Sequence, residues 1–345
     1  MDLMNELKDI KCIVWDLDNT IWDGILSEDL EVNLKPNIKH ILTELDSRGI
    51  LHSIASKNDY DQAIKKLEEF EISHLFLFPE INWSAKSESI SRIVKNLNIS
   101  IDSMLFIDDQ PFELDEVKSV HSKINCLPHS EYKNLLDRPY LTPRFITNDS
   151  KNRRKMYMEN QKREEDENNY KGPKEEFLAS LDLEFFISEA KEDDLRRAEE
   201  LTIRTNQLNS TGITYDYDEL NSYRLRDDHL LLVCELNDKY GSYGKIGLAL
   251  IETAHDFWNV KLLLMSCRVI SRGVGSILLK HIIEEAKRNK KTLRADFKIT
   301  NRNKMMYMTY KFLNFHEIER SGDFIKFEHE YTFQPTPDYI KIVSE

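Results

Sequence analysis

Asp16 and Asp18 stand one residue apart in WDLDNTIW, directly after the apolar run IKCIVW. Two carboxylates so close resist burial together, so a pair at the end of a buried strand implies a balancing cation or a reacting group. Three later stretches supply residues suited to the same chemistry: Ser56 in SIASKN, Lys86 in NWSAKSE, and Asp108 with Asp109 in LFIDD. A carboxylate can attack phosphorus to give an acyl phosphate, provided the phosphate charge is neutralised. Mg²⁺, bound by hard oxygen ligands, suits that task, with Asp16, Asp18, Asp108 and Asp109 as expected donors. Asp16 is then the nucleophile and Asp18 the acid that protonates the departing oxygen. Lys86 lies at the start of the helical pattern KSESISRIVKNL, where the helix dipole disfavours a cation unless an anion is bound nearby. Singly, Ser56 reads as a cap, Lys86 as a surface lysine and Asp108–Asp109 as a loop pair. Their order along the chain, each at a strand end, ties them together.

A second constellation lies in LLLMSCRVISRGVG. Cys267 falls late in a predicted strand and is followed by Arg268, whose guanidinium favours the nucleophilic thiolate. An isolated cysteine in an apolar strand ordinarily serves packing, the role assigned to Cys12, Cys126 and Cys234. RTNQLN places Arg204, Asn206, Gln207 and Asn209 on a predicted helix, as cleft-lining groups or as a solvated face; the pattern leaves both open.

The elements that must position these groups alternate regularly up to about Pro128. Apolar runs KCIVW, ILHSIA, LFLF, MLFI and INCL read as strands. Between them PNIKHILTELDSRG shows Pro36 at its start, Ile38, Ile41, Leu42 and Leu45 on one face, and Gly49 as its stop. Such alternation predicts a parallel sheet with helices on both faces, whose ligands bind beyond the carboxyl ends of the strands. The short span between Thr20 and Ser56 leaves room for a small flap around GILSEDLEVN but not for a large cap, so the site is open. Residues 148–176 are densely charged and poor in aliphatics, and read as a solvated helical linker between a domain at 1–147 and another at 177–345. In the second block, strands LLLVCEL, KIGLALIET and FWNVKLLLMSCRVI precede the helix SRGVGSILLKHIIEEAKRNKK, with Val274, Ile277, Leu278 and Ile282 on one face.

Composition narrows the class. The chain of 345 residues carries a net charge of −13, which argues against nucleic acid as a partner. Its four cysteines lack metal-ligand spacing. No leader-like segment and no membrane-length apolar run is evident, and a cytoplasmic enzyme with reduced thiols is expected.

DLDNT, Ser56, Lys86 and IDD together resemble the haloacid dehalogenase superfamily of phosphoryl-transfer enzymes. The resemblance implies a Rossmann-like parallel sheet with a minimal cap, Mg²⁺ dependence, and a phosphate-binding set of Thr20, Ser56, Lys57, Asn58 and Lys86. The second block resembles the Gcn5-related N-acetyltransferase fold, an α+β domain, in which Gly273 and Gly275 would line a phosphate-holding turn. Ile270 stands where that family usually has Arg or Gln. With VWDLDNTIWDG, RTNQLNST and MSCRVISRGV together, the chain resembles the FkbH-like glyceryl transferase/phosphatases of polyketide pathways. That likeness implies 1,3-bisphosphoglycerate as donor, Cys267 as acyl carrier, a site including Arg204, Asn206, Gln207 and Arg268, and the phosphopantetheine thiol of an acyl carrier protein as acceptor. A phosphatase fused to a conventional acetyl-CoA-dependent acetyltransferase is the alternative.

Overall fold

The computed structural model describes residues 10–344 except 30, 206, 254, 255, 333, 334 and 336. The chain divides into two compact units between Met158 and Glu159.

In the first unit β1 (Cys12–Trp15), β4 (Leu51–Ser56), β5 (Glu80–Ile81), β6 (Met104–Asp108) and β7 (Asn125–Pro128) form one parallel sheet in the order β5-β4-β1-β6-β7. All four residues of β1 are buried, as a central strand covered on both faces requires. Helices α1 (Ile38–Ser47), α2 (Tyr60–Glu69), α3 (Lys86–Leu97) and α4 (Pro111–Val120) connect the strands. Ile38, Ile41, Leu42 and Leu45 are the buried face of α1. Gly49, at φ +78°, takes the left-handed turn that ends it. The expected flap is a hairpin of two-residue strands, β2 (Trp22–Asp23) and β3 (Asn33–Leu34).

LFLF does not form the expected strand. A 3₁₀ turn covers Ser73–Leu75, Phe78 adopts φ +48°, and the edge strand starts only at Glu80. A left-handed residue cannot continue a β ladder, so the run pairs with β4 only through an isolated bridge of Phe76 to His52.

In β4, beside β1, His52 accepts from Trp15 Nε1 at 3.1 Å, and its Nε2 lies 3.0 Å from the Leu42 carbonyl. Burial pushes its pKa down to about 4. The folded state therefore holds a neutral imidazole that the unfolded chain protonates below about pH 6.5. This contribution is complete above pH 6.5 and is lost as pH falls toward 4. Chemical denaturation of wild type and His52→Gln should show their stability difference shrinking by about 3 kcal/mol over that window. A difference independent of pH would refute it.

The stretch 148–176 contains α5 (Asn148–Lys151), α6 (Arg153–Asn169) and α7 (Lys174–Ala179). The stretch is helical with most of its side chains exposed, and the division between units falls inside α6. Arg153 is buried and donates to the Gly49 carbonyl at 2.9 Å in the first unit. Arg163, fully buried in the second, forks onto Asp238 at 2.7 and 2.9 Å, with its guanidinium 3.9 Å from the Tyr243 ring centre. A bidentate partner makes such burial tolerable.

The second unit is an eight-stranded mixed sheet in the order β13-β14-β12-β11-β10-β9-β8-β15. Its strands are β8 (Leu183–Glu189), β9 (His229–Asp238), β10 (Gly241–Glu252), β11 (Phe257–Met265), β12 (Thr292–Lys298), β13 (Phe315–Ser321), β14 (Phe324–His329) and β15 (Ile340–Ser344). Helices α8 (Leu195–Arg204) and α9 (Tyr217–Arg224) pack on one face. On the other lie α10 (Val274–Arg288) and α11 (Lys304–Phe312). Val274, Ile277, Leu278 and Ile282 are buried as expected. No helix among the described residues is long and apolar enough to cross a membrane.

Candidate active site

At the carboxyl ends of β1, β4 and β6 the side chains of Asp16, Ser56 and Asp108 are all buried. Lys86, the first residue of α3, is buried with them, and its Nζ lies 2.7 Å from Asp16 Oδ1 and also contacts Asp108 Oδ2. The cation disfavoured at a helix start is thus balanced by two carboxylates, with the Phe106 ring centre 5.8 Å away. Burial and the neighbouring Asp108 push the Asp16 pKa up to about 6, against the opposing pull of Lys86. Burial likewise raises Asp108 and Asp109. Burial pulls the Lys86 pKa down, but the two carboxylates more than offset this and hold it above the usual lysine value.

Ligand atoms of Asp16, Asp108 and Asp109 all lie within 4.8 Å of one another. Three hard oxygen donors whose mutual repulsion needs a cation fit Mg²⁺. The side chain of Asp18, expected among these ligands, is not in the cluster. Its Oδ1 accepts from Trp22 Nε1 at 2.8 Å and the Leu26 N–H at 3.1 Å, and its Oδ2 accepts from Asn58 Nδ2 at 2.9 Å. Three donors fix this carboxyl group outside the set of Asp16, Asp108 and Asp109.

Thr20 is buried, and its hydroxyl has no partner. Asn58 also reaches Ser56 Oγ at 3.4 Å. Lys57 turns to Glu113, at 2.7 Å. Sequence reasoning missed Trp22, Leu26 and Glu113. Only Trp22 left a signal there, as a second tryptophan seven residues after Trp15.

The second set is more dispersed. Strand β11 ends at Met265, two residues before Cys267, which instead opens a 3₁₀ turn over Cys267–Arg272 and is half-buried. Arg268 donates to the Tyr243 carbonyl at 3.1 Å. Gly273, at φ +72°, caps α10, and Gly275 lies in its first turn. Of the described residues of RTNQLN only Arg204 is helical, as the last residue of α8; Gln207 is exposed, and Asn206 lies outside the described residues. Beyond it the chain runs along β11. Met265 N–H donates to the Leu208 carbonyl and Ser210 N–H to the Leu263 carbonyl, both at 2.9 Å. Asn209 is buried there, its Oδ1 accepting from Thr211 and Gly212 N–H groups. Burial raises the pKa values of Cys12, Cys126 and Cys234, as inert packing thiols require.

The family model for haloacid dehalogenase-like hydrolases matches residues 21–125. The amino-terminal unit carries a haloacid dehalogenase-like hydrolase domain. Among solved structures, the amino-terminal part of a Bacteroides fragilis protein, containing a phosphatase domain complexed with Mg, is 30% identical over 41% of this chain and 42% of that one, with a TM-score of 0.32. The chain thus spans less than half of that structure. The ribosomal-protein-S18-alanine N-acetyltransferase of Escherichia coli is 18% identical over 44% of this chain and 96% of its own, at TM-score 0.34. An N-acetyltransferase of Thermoplasma acidophilum in complex with coenzyme A is 15% identical over 43% and 99%, at TM-score 0.35. No curated protein matches the sequence.

Proposed function

We propose that the chain is a bifunctional glyceryl transferase/phosphatase. The amino-terminal site removes phosphate. Cys267 takes the acyl group of 1,3-bisphosphoglycerate as a thioester and passes it to the phosphopantetheine thiol of an acyl carrier protein. The observation that carries the hydrolytic half is the buried Asp16–Lys86–Asp108 arrangement at the strand ends, with Asp18 oriented by Trp22, Leu26 and Asn58.

In this reading Asp16 attacks phosphorus in line with the departing alcohol oxygen, which takes a proton from Asp18. Lys86 holds Asp16 ionised and faces the incoming phosphate charge, while Ser56 and Asn58 supply donors for its oxygens. Water then cleaves the aspartyl phosphate. Mg²⁺, held by Asp16, Asp108 and Asp109, would neutralise phosphate charge throughout; a Mg-bound phosphatase domain in the similar Bacteroides structure agrees with this.

At Cys267 the sulfur attacks the acyl-phosphate carbon of the donor and phosphate leaves, conserving the acyl group as a thioester. Transfer to a second thiol exchanges one thioester for another and needs chiefly positioning. Incubation with 1,3-bisphosphoglycerate and Mg²⁺ should add a hydroxylamine-labile mass to the protein that Cys267→Ala lacks entirely. An adduct persisting in that variant, or acetyl-CoA turnover surviving Cys267→Ser, would favour the phosphatase–acetyltransferase alternative.

A further inference from the structure

Lys86 reaches Asp16 and Asp108 from the first residue of α3. Its four-carbon stem is flexible, so the ammonium stays on both carboxylates only while the start of α3 is itself fixed. That start is short of anchors of its own. A helix leaves its first N–H groups without intrahelical partners, and Ala85, the residue before Lys86, offers no side-chain cap. Ile90, Ile93 and Leu97 bury the later turns in the same core as Val117 of α4. The polar end must be held by other means.

Those means come from α4. Glu116 Oε2 accepts from the Ser87 N–H at 3.2 Å, and Glu116 Oε1 accepts from the Ser87 hydroxyl. His121, the residue that ends α4, has its Nε2 2.9 Å from the Ser87 carbonyl. Every polar group of Ser87, a residue only 3% exposed, thus meets α4 or its cap. A carboxylate here also carries the sign that the start of a helix favours, whereas Lys86 carries the sign it disfavours.

The other end of α4 belongs to the metal-ligand set. The helix begins at Pro111, three residues after Asp108, and the Gln110 N–H donates to Asp108 Oδ1 at 2.8 Å. One turn before Glu116, Glu113 holds Lys57, the neighbour of Ser56, at 2.7 Å. The contact between Glu116 and Ser87 therefore ties the helix that carries Lys86 to the helix that follows Asp108.

We propose that Glu116 is a positioning residue for phosphate release: by clamping Ser87 it fixes the first turn of α3 and keeps the Lys86 ammonium between Asp16 and Asp108. This deepens the phosphatase half of the reading above and rests on it. Glu116 acts through Ser87 and Lys86 and not on the phosphate itself.

The test is steady-state phosphate release from 3-phosphoglycerate and from p-nitrophenyl phosphate with Mg²⁺, with the unfolding midpoint of each variant as the control for folding. Glu116→Ala should lower kcat about ten- to a hundredfold, the cost of misplacing a catalytic group by about an ångström, and leave KM within about twofold of wild type. Glu116→Gln, whose amide can still meet both the N–H and the hydroxyl of Ser87, should recover most of the lost kcat. Ser87→Ala removes one arm of the clamp and keeps the other, so its kcat should fall between those of wild type and Glu116→Ala. If Glu116→Ala does not fold, Ser87→Ala decides, and full kcat there overturns the clamp. Undiminished kcat in Glu116→Ala, a loss confined to KM, or a glutamine variant no better than alanine also overturns it, while leaving the phosphatase reading intact. Wild type that releases phosphate from neither ester refutes that reading instead.

Discussion

Asp16→Asn should reduce phosphate release by at least about a thousandfold while the chain stays folded and Cys267 still accepts an acyl group. The size follows from the role. An amide cannot form the acyl-phosphate intermediate, and losing a nucleophile removes transition-state stabilisation worth about 4 kcal/mol or more. Folding should survive because Asn is nearly isosteric with Asp and places a neutral group where burial and Asp108 already disfavour a charge. Steady-state phosphate release and intact mass on one preparation decide the matter. Loss of both reactions would show that Asp16 holds the fold rather than performs the chemistry, and undiminished phosphate release would remove it from the mechanism.

The elements and residues that were legible in the sequence share a property: each is set by a local pattern. Asp16 and Asp108 end runs of buried residues, and Lys86 begins an amphipathic helix, so periodicity alone puts all three at one end of a parallel sheet. What the sequence hid depends on partners far along the chain. Asp18 reads as a metal ligand until Asn58, forty residues on, and the hairpin residues Trp22 and Leu26 are seen to occupy its oxygens. Arg163 sits in a stretch polar on every side, and nothing in that composition announces Asp238 or the Tyr243 ring. Leu208–Ser210 pairs with β11 through backbone groups, which leave no mark on side-chain pattern. LFLF misleads for the opposite reason: its apolar side chains are mostly buried, but the left-handed backbone at Phe78 prevents it from pairing as a strand.

The second large effect concerns Lys86. Its ammonium is the only lysine or arginine cation contacting Asp16 and Asp108 among the ion pairs of the described residues, and all three side chains are buried. Removing one member of such a buried cluster leaves the others uncompensated, at a cost of roughly 3–5 kcal/mol. Lys86→Met keeps an unbranched apolar side chain of similar length and deletes the charge. In chelator its unfolding midpoint should therefore fall well below that of wild type. Mg²⁺ should then raise the stability of the variant more than that of wild type, because the ion answers a repulsion that wild type already answers in part with Lys86. Phosphate release should stay low even with Mg²⁺, since the positive charge facing the phosphate is still missing. Denaturant titrations of both proteins, with and without Mg²⁺, measure the difference directly. Equal stabilisation of the two would mean that the ion and the ammonium do not share these carboxylates. The cluster would then be an ion-paired piece of the core, and the case for a metal-assisted phosphatase would lose its structural footing.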